Sequence, residues 1–235
     1  MLKISDITKF TLQDYPNKTA CIIWFSGCNM RCKFCHNAEF LEQNDNFLKK
    51  EDVLSFLKKR VGLFDGVVLS GGECTLDSDI INFIIEIKKL GFKIKIDTNG
   101  LMFNIIQELV VKKIVDFIAL DFKAPLNKFN NVTQINESLY YNFEKTLKFL
   151  IENNNKNNID LEIRTTIHTS LLQEKDINNI IDILDNLNYS CNYYIQNFRN
   201  DNKKTLVDIG NQMYLLDKNK IKKPLHFNVE YRNFF

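Results

Sequence analysis

The 235-residue chain has almost no surplus charge of either sign: 31 Lys and Arg against 29 Asp and Glu leave a formal +2. It therefore lacks the basic footprint with which nucleic-acid binders displace counterions. Long apolar runs are missing as well. No stretch approaches the roughly 20 residues that a membrane-spanning helix needs. Residues 1–10 alternate polar with apolar and do not form the apolar block of a signal peptide. A cytoplasmic location is the expectation, and six cysteines without such a signal suggest reduced thiols and metal ligands rather than a disulfide framework. The 45% hydrophobic and 26% charged content is that of a globular chain, long enough to bury a sizeable core.

Three of the six cysteines, Cys28, Cys32 and Cys35, fall in one short loop that also holds Phe34 and His36. Three thiolates can grip three irons of a cubic [4Fe–4S] cluster and leave one corner without a protein ligand. An open metal position is where a substrate or cofactor coordinates. The rival is a structural zinc site, because Cys28, Cys32, Cys35 and His36 have Cys3His composition. Cys35 and His36 are sequence neighbours, however, and adjacent side chains seldom converge on one tetrahedral ion. A second Cys-x2-Cys or His-x3-His knuckle is also missing.

Around this loop the chain repeats one unit. Apolar runs of strand length cover residues 19–26, 66–70, 92–97, 115–121, 159–167 and 190–196. Helical patterns lie between them at about 50–60, 77–90, 101–112, 137–153 and 175–187. Apolar strands alternating with helices predict an α/β fold with a parallel sheet covered by helices. Six units predict a partial (β/α)6 TIM-type barrel, with the cysteine loop after its first strand, smaller than the eight-unit barrel of roughly 250 residues. The asparagine-rich run 153–158 is expected to be a polar turn closing a helix. One domain is expected over 1–235, with a core at about 18–200 and a tail at about 200–235 in which 227–231 alternates like an edge strand.

Parallel barrels carry their sites at the C-terminal strand ends, and polar outliers gather there. They include Ser70-Gly71-Gly72-Glu73-Cys74, Asp97-Thr98-Asn99-Gly100, Asp121 with Lys123, and Gln196-Asn197-Phe198-Arg199. Glu162, Arg164, Thr166 and His168 alternate along one strand, hence on one face. Gly71 and Gly72 suit a close approach of the backbone to a ligand with positive φ, or simply a tight turn. Asp97 and Asp121 suit a hard cation, a ribose or the capping of the following helices. Lys123, Arg164 and Arg199 suit a carboxylate, or surface ion pairs of little worth. His36 and His168 could donate protons or be structural.

Together these segments, with Phe10-Thr11-Leu12-Gln13-Asp14-Tyr15-Pro16, resemble radical S-adenosylmethionine activating enzymes of glycyl-radical enzymes, most of all activators of anaerobic ribonucleoside-triphosphate reductase. The resemblance implies that Cys28, Cys32 and Cys35 hold a [4Fe–4S] cluster and that Phe34 packs on the adenine of S-adenosylmethionine, with His36 near both. It implies that the methionyl amine meets the Gly71, Gly72 and Glu73 edge. Asp97 and Asp121 would hold a monovalent cation beside the methionyl carboxylate, with Lys123, Arg164 and Arg199 as further cofactor contacts. The implied activity is reductive cleavage to a 5′-deoxyadenosyl radical that takes hydrogen from a glycine of the partner reductase, with flavodoxin or ferredoxin as electron donor. Cys74 stands where that family usually has proline, Asn17 where it has glycine, and Arg199 where some relatives have histidine. Two other functions fit the same residues: a small-molecule radical enzyme such as 7-carboxy-7-deazaguanine synthase, and a zinc-stabilised module without catalysis.

Overall fold

The central strands are apolar on both faces, and the computed structural model, which describes residues 2–41, 46–199 and 205–234, shows what each face meets. In chain order the elements are β1 (Ile4–Thr11), β2 (Ala20–Phe25), α1 (Lys50–Lys58), β3 (Gly66–Gly71), α2 (Ile80–Lys89), β4 (Lys93–Thr98) and α3 (Phe103–Val111). There follow β5 (Phe117–Asp121), α4 (Leu126–Thr133), α5 (Tyr140–Asn157), β6 (Asp160–Ile167), α6 (Glu174–Asn186), β7 (Asn192–Asn197) and β8 (Asn228–Arg232). The strands form one sheet in sequence order, β1 to β8. Among the described residues only the β1–β2 pair of this sheet is antiparallel; its other pairs are parallel.

The six expected strands are the six central ones, β2 to β7, so the α/β fold with a parallel sheet and the cysteine loop after its first parallel strand holds. Two edge strands extend it. β8 is the alternating segment expected near 227–231, and β1 is an addition. Each strand's outward residues join one large core with the helices, for example Cys21, Ile23 and Phe25 of β2 and Ile94 and Ile96 of β4. α2 shows the matching pattern, burying Ile80, Phe83, Ile84 and Ile87 at helical spacing.

The inward residues are different in kind. At the N-terminal end of the sheet a small second cluster of Tyr15, Ala20, Ile22, Val68, Phe117 and Ala119 plugs the interior. Tyr15 meets Phe117 edge-on at 5.8 Å. Above this plug the inward positions turn polar: Ser70, Lys95, Asp97, Asp121 and Arg164. The plug thus closes one end and leaves the other for chemistry.

Two local expectations are corrected. The asparagine run does not close a helix as a turn; α5 continues through Asn157 and ends at Asn158, which takes the left-handed cap with φ 54. Asn153 and Asn157 bond back to the carbonyls of Phe149 and Asn153, four residues earlier, so the amides satisfy themselves within the helix. α4 was not expected at all. The start of the tail near 200 lies outside the described residues.

Tyr15 is 2% exposed and seals the plug. Replacing it with Ala should cost about 3–4 kcal/mol, the range for removing a buried aromatic ring, read as a lower urea midpoint. A loss under about 1 kcal/mol would mean that the plug contributes little.

Candidate functional site

The cysteine loop is held by backbone before any cofactor is considered. Gly71 has φ +118, and a Cβ on it would lie 2.4 Å from the Phe25 carbonyl oxygen. A Cβ on Gly72 would lie 2.1 Å from the Gly27 carbonyl oxygen. The end of β3 therefore presses main chain to main chain against the start of the loop, with Gly72 N–H donating to Phe25 O and Glu73 N–H to Gly27 O, both at 2.8 Å. The close approach that this glycine pair makes is to the cysteine loop, not the approach to a ligand expected from the sequence. Asn37 adds a bond from Nδ2 to Gly71 O at 3.1 Å.

The far side of the loop sits on the end of α4. Arg31 N–H donates to Thr133 O and Lys33 N–H to Val132 O, so carbonyls left over at the helix terminus are satisfied by the loop. The Arg31 guanidinium caps the loop's own Cys28 and Met30 carbonyls at 2.7 and 2.8 Å.

Glu73 ties β3 to β4. It is 2% exposed. It accepts from Thr75 N–H and Oγ1, from Thr98 Oγ1 at 2.8 Å and from Asn99 N–H at 2.7 Å. Burial pushes its carboxyl up and these donors pull against it. Asn99 then reaches Asn29 Oδ1 at 2.7 Å and lies 3.8 Å from the Cys28 sulfur. Asn29 was not singled out from sequence, where an Asn in a loop signals only a turn, and Asn99 was noted there only as part of the strand-end group 97–100.

The cavity at the C-terminal strand ends is lined by Cys28, Cys32, Phe34, Cys35, His36, Gly71, Gly72, Glu73, Asp97, Asp121, Lys123 and Arg164, together with Ser70, Thr166 and Gln196. Every expected site residue except Arg199 lines it. Arg199 is exposed beyond β7. His168 turns away, with Nδ1 2.7 Å from Ser170 Oγ and Nε2 3.3 Å from Gly210 O. Neither Asp97 nor Asp121 caps the following helix, whose N-caps are Met102 and Pro125.

Burial pushes the Cys28 thiol up to about 11 and the Cys32 thiol to about 12. The protein thus holds these sulfurs as thiols until a positive metal centre draws off their protons. Among the described residues no three His, Cys, Asp or Glu side chains converge closely enough to share one metal ion.

Under the cysteines lies a charged floor. Arg164 Nε donates to Asp121 Oδ1 at 2.6 Å, and Lys123 Nζ to Asp121 Oδ2 at 3.0 Å. Lys95, buried and unrecognised in the sequence, donates to Asp97 Oδ1 at 2.5 Å. Burial alone would raise both aspartates, but Arg164 and the flanking lysines hold their carboxyls below the usual range. Arg232 of β8 is 3.1 Å from Glu162 and stacks on Tyr194, 3.5 Å from the ring centroid.

Residues 22–188 match the radical SAM superfamily, and the chain belongs to it. The superfamily's cofactors are a [4Fe–4S] cluster and S-adenosylmethionine, and the donor set described above fits both. Within it the chain is similar to activating enzymes. A Methanocaldococcus jannaschii protein named for glycyl-radical enzyme activation is 34% identical over 178 residues, 75% of this chain and 73% of its own. Pyruvate formate-lyase-activating enzyme of Clostridium pasteurianum is 31% identical over 129 residues, so this chain spans only 53% of that enzyme. In fold, Streptococcus suis SuiB, solved with its precursor peptide SuiA, superposes with a TM-score of 0.63 at 19% identity over 82% of this chain and 42% of that one. Among the described residues no helix is long and apolar enough to cross a membrane.

Because a Cβ at Gly72 meets backbone, Gly72→Ala should displace the cysteine loop while leaving the core intact. Iron retained after anoxic reconstitution should fall at least about tenfold, the effect of only ~1.4 kcal/mol, with little change in far-ultraviolet circular dichroism. Normal iron content would show that the seam does not position the loop.

Proposed function

We propose that this chain, as one domain over 1–235, is an activating enzyme that installs a glycyl radical in an anaerobic ribonucleoside-triphosphate reductase. The observation that carries this is the joining, in one cavity, of three cysteine side chains on a rigidly seated loop with a floor of ion-paired Arg164, Lys123 and Asp121. The similarity to proteins named for glycyl-radical enzyme activation supports it.

Cys28, Cys32 and Cys35 would hold the [4Fe–4S] cluster, which when bound supplies the electron for reductive cleavage of S-adenosylmethionine. The remaining residues bind and orient. Phe34, buried at 4% exposure, offers an apolar face for adenine. Lys123 and Arg164 line the cavity and suit the methionyl carboxylate. Gly71, Gly72 and Glu73 form the edge beside the cysteine loop that would face the methionyl amine, with His36 next to the cluster. Glu73 already accepts four bonds, so its main contribution is to hold that edge still. The sheet ends at β1 and β8 without pairing them, which leaves a side through which a partner's glycine-bearing loop could enter. A small electron-transfer protein, flavodoxin or ferredoxin, would deliver the electron, as expected of a cytoplasmic system.

Mixed anoxically with an oxygen-independent ribonucleotide reductase, S-adenosylmethionine and dithionite, the protein should generate a glycyl radical signal and 5′-deoxyadenosine. Cys32→Ser should reduce both to background. Turnover of a pterin without any glycyl radical would favour a small-molecule radical enzyme instead.

A further inference from the structure

The two strand-end aspartates expected to hold a monovalent cation are occupied by the protein's own cations. Arg164 extends from β6 with Nε 2.6 Å from Asp121 Oδ1, Nη2 3.3 Å from Asp97 Oδ2 and Nη1 3.7 Å from Glu162 Oε1. Lys95 takes Asp97 Oδ1 at 2.5 Å, and Lys123 takes Asp121 Oδ2 at 3.0 Å. Ser70 Oγ donates to Asp97 Oδ2 at 3.1 Å. Each of the four carboxylate oxygens thus has a positively charged partner.

A hard cation needs oxygen lone pairs turned towards it. Here those lone pairs are engaged, and an added ion would face three fixed positive groups. Like charges a few ångströms apart in a partly buried site repel strongly, so the arrangement opposes entry of a further cation. The side chains of Arg164, Asp97 and Asp121 are only 15%, 15% and 19% exposed, so water screens this little.

We propose that the Arg164 guanidinium is the resident cation of this site, so that the enzyme binds S-adenosylmethionine without K⁺ or Na⁺. This rests on the cofactor assignment made under the proposed function. Lys123 and Arg164 line the cavity with Glu73, Asp97 and Asp121, and Lys95 pairs with Asp97, so the protein's own three cations already balance these three carboxylates. Glu162 is met by Arg232 at 3.1 Å as well as by Arg164. A guanidinium differs from a bound ion in being tethered: it cannot dissociate, and its fork keeps β4 and β5 in fixed relation. Arg164 is a positioning residue for the two aspartates as well as a contact for the cofactor.

The test exchanges KCl and NaCl for choline chloride at equal ionic strength. Labelled S-adenosylmethionine binding is measured on the cluster-loaded protein, and the melting temperature on the metal-free protein. For the native chain the dissociation constant should stay within about twofold across the three salts and the melting temperature should not respond to K⁺. Arg164→Met should bind about tenfold more weakly in choline chloride, one lost charged contact, and KCl should restore part of the loss. Arg164→Lys should keep the native independence of K⁺. Binding by the native protein that strengthens about tenfold or more in KCl overturns the inference alone. Absence of binding in every salt overturns the cofactor assignment along with it. Should Arg164→Met fail to fold, the salt exchange on the native protein still decides.

Discussion

The site depends on a contact between two stretches of main chain. Gly71 and Gly72 let the end of β3 approach the Phe25–Gly27 backbone more closely than any residue with a Cβ could, by the distances of 2.4 and 2.1 Å such an atom would meet. Through that contact the cysteine loop inherits the rigidity of the sheet. Side-chain anchors add to it: Glu73 gathers β3 and β4, Asn99 passes the connection to Asn29, and α4 receives Arg31 and Lys33 from the other side. A loop fixed at three points can present sulfur without collapsing when its thiols are protonated. Sites built on strands and helices hold their geometry better than sites on free loops.

The second determinant is the change of character along the barrel interior. Its lower part is apolar and closed by Tyr15 and Phe117; its upper part is a ladder of alternating charges from Lys95 to Lys123. Burying such groups is costly unless each finds a partner, and here every one does. The ladder puts Lys123 and Arg164 on the lining of the same cavity as the three cysteines. An anionic carboxylate would therefore be drawn to one wall and the metal centre to the other. The same pairing engages the carboxylate oxygens of Asp97 and Asp121 with Lys95, Lys123 and Arg164.

Much of this was legible from residue order. The central strands are buried on both faces and so appear as unbroken apolar runs, and the motif words fall at strand ends because parallel strands all point one way. What escaped has specific causes. β1 is paired along one side only and is largely half-exposed, so its alternation looked like an ordinary polar terminus. α4, Leu126–Thr133, contains three asparagines and threonine or lysine between few apolar residues, a weak helical pattern rescued by burying Phe129, Val132 and Thr133. Lys95 sits at an inward position of an apolar strand, where only the three-dimensional neighbour Asp97 explains a buried ammonium. Arg232 meets Glu162 across 70 residues of chain, a pairing no local pattern signals. Arg164 likewise comes from β6 to aspartates on β4 and β5, a meeting that motif matching on β4 and β5 does not see.

The central claim is that three sulfurs on a seated loop leave one iron open to S-adenosylmethionine. Electron paramagnetic resonance of the dithionite-reduced, anoxically reconstituted protein tests it directly, alongside iron analysis. The account predicts about four irons per chain and a reduced-cluster spectrum whose g-values shift when S-adenosylmethionine is added. A spectrum that stays the same at saturating cofactor, or a colourless protein binding one zinc, would contradict it.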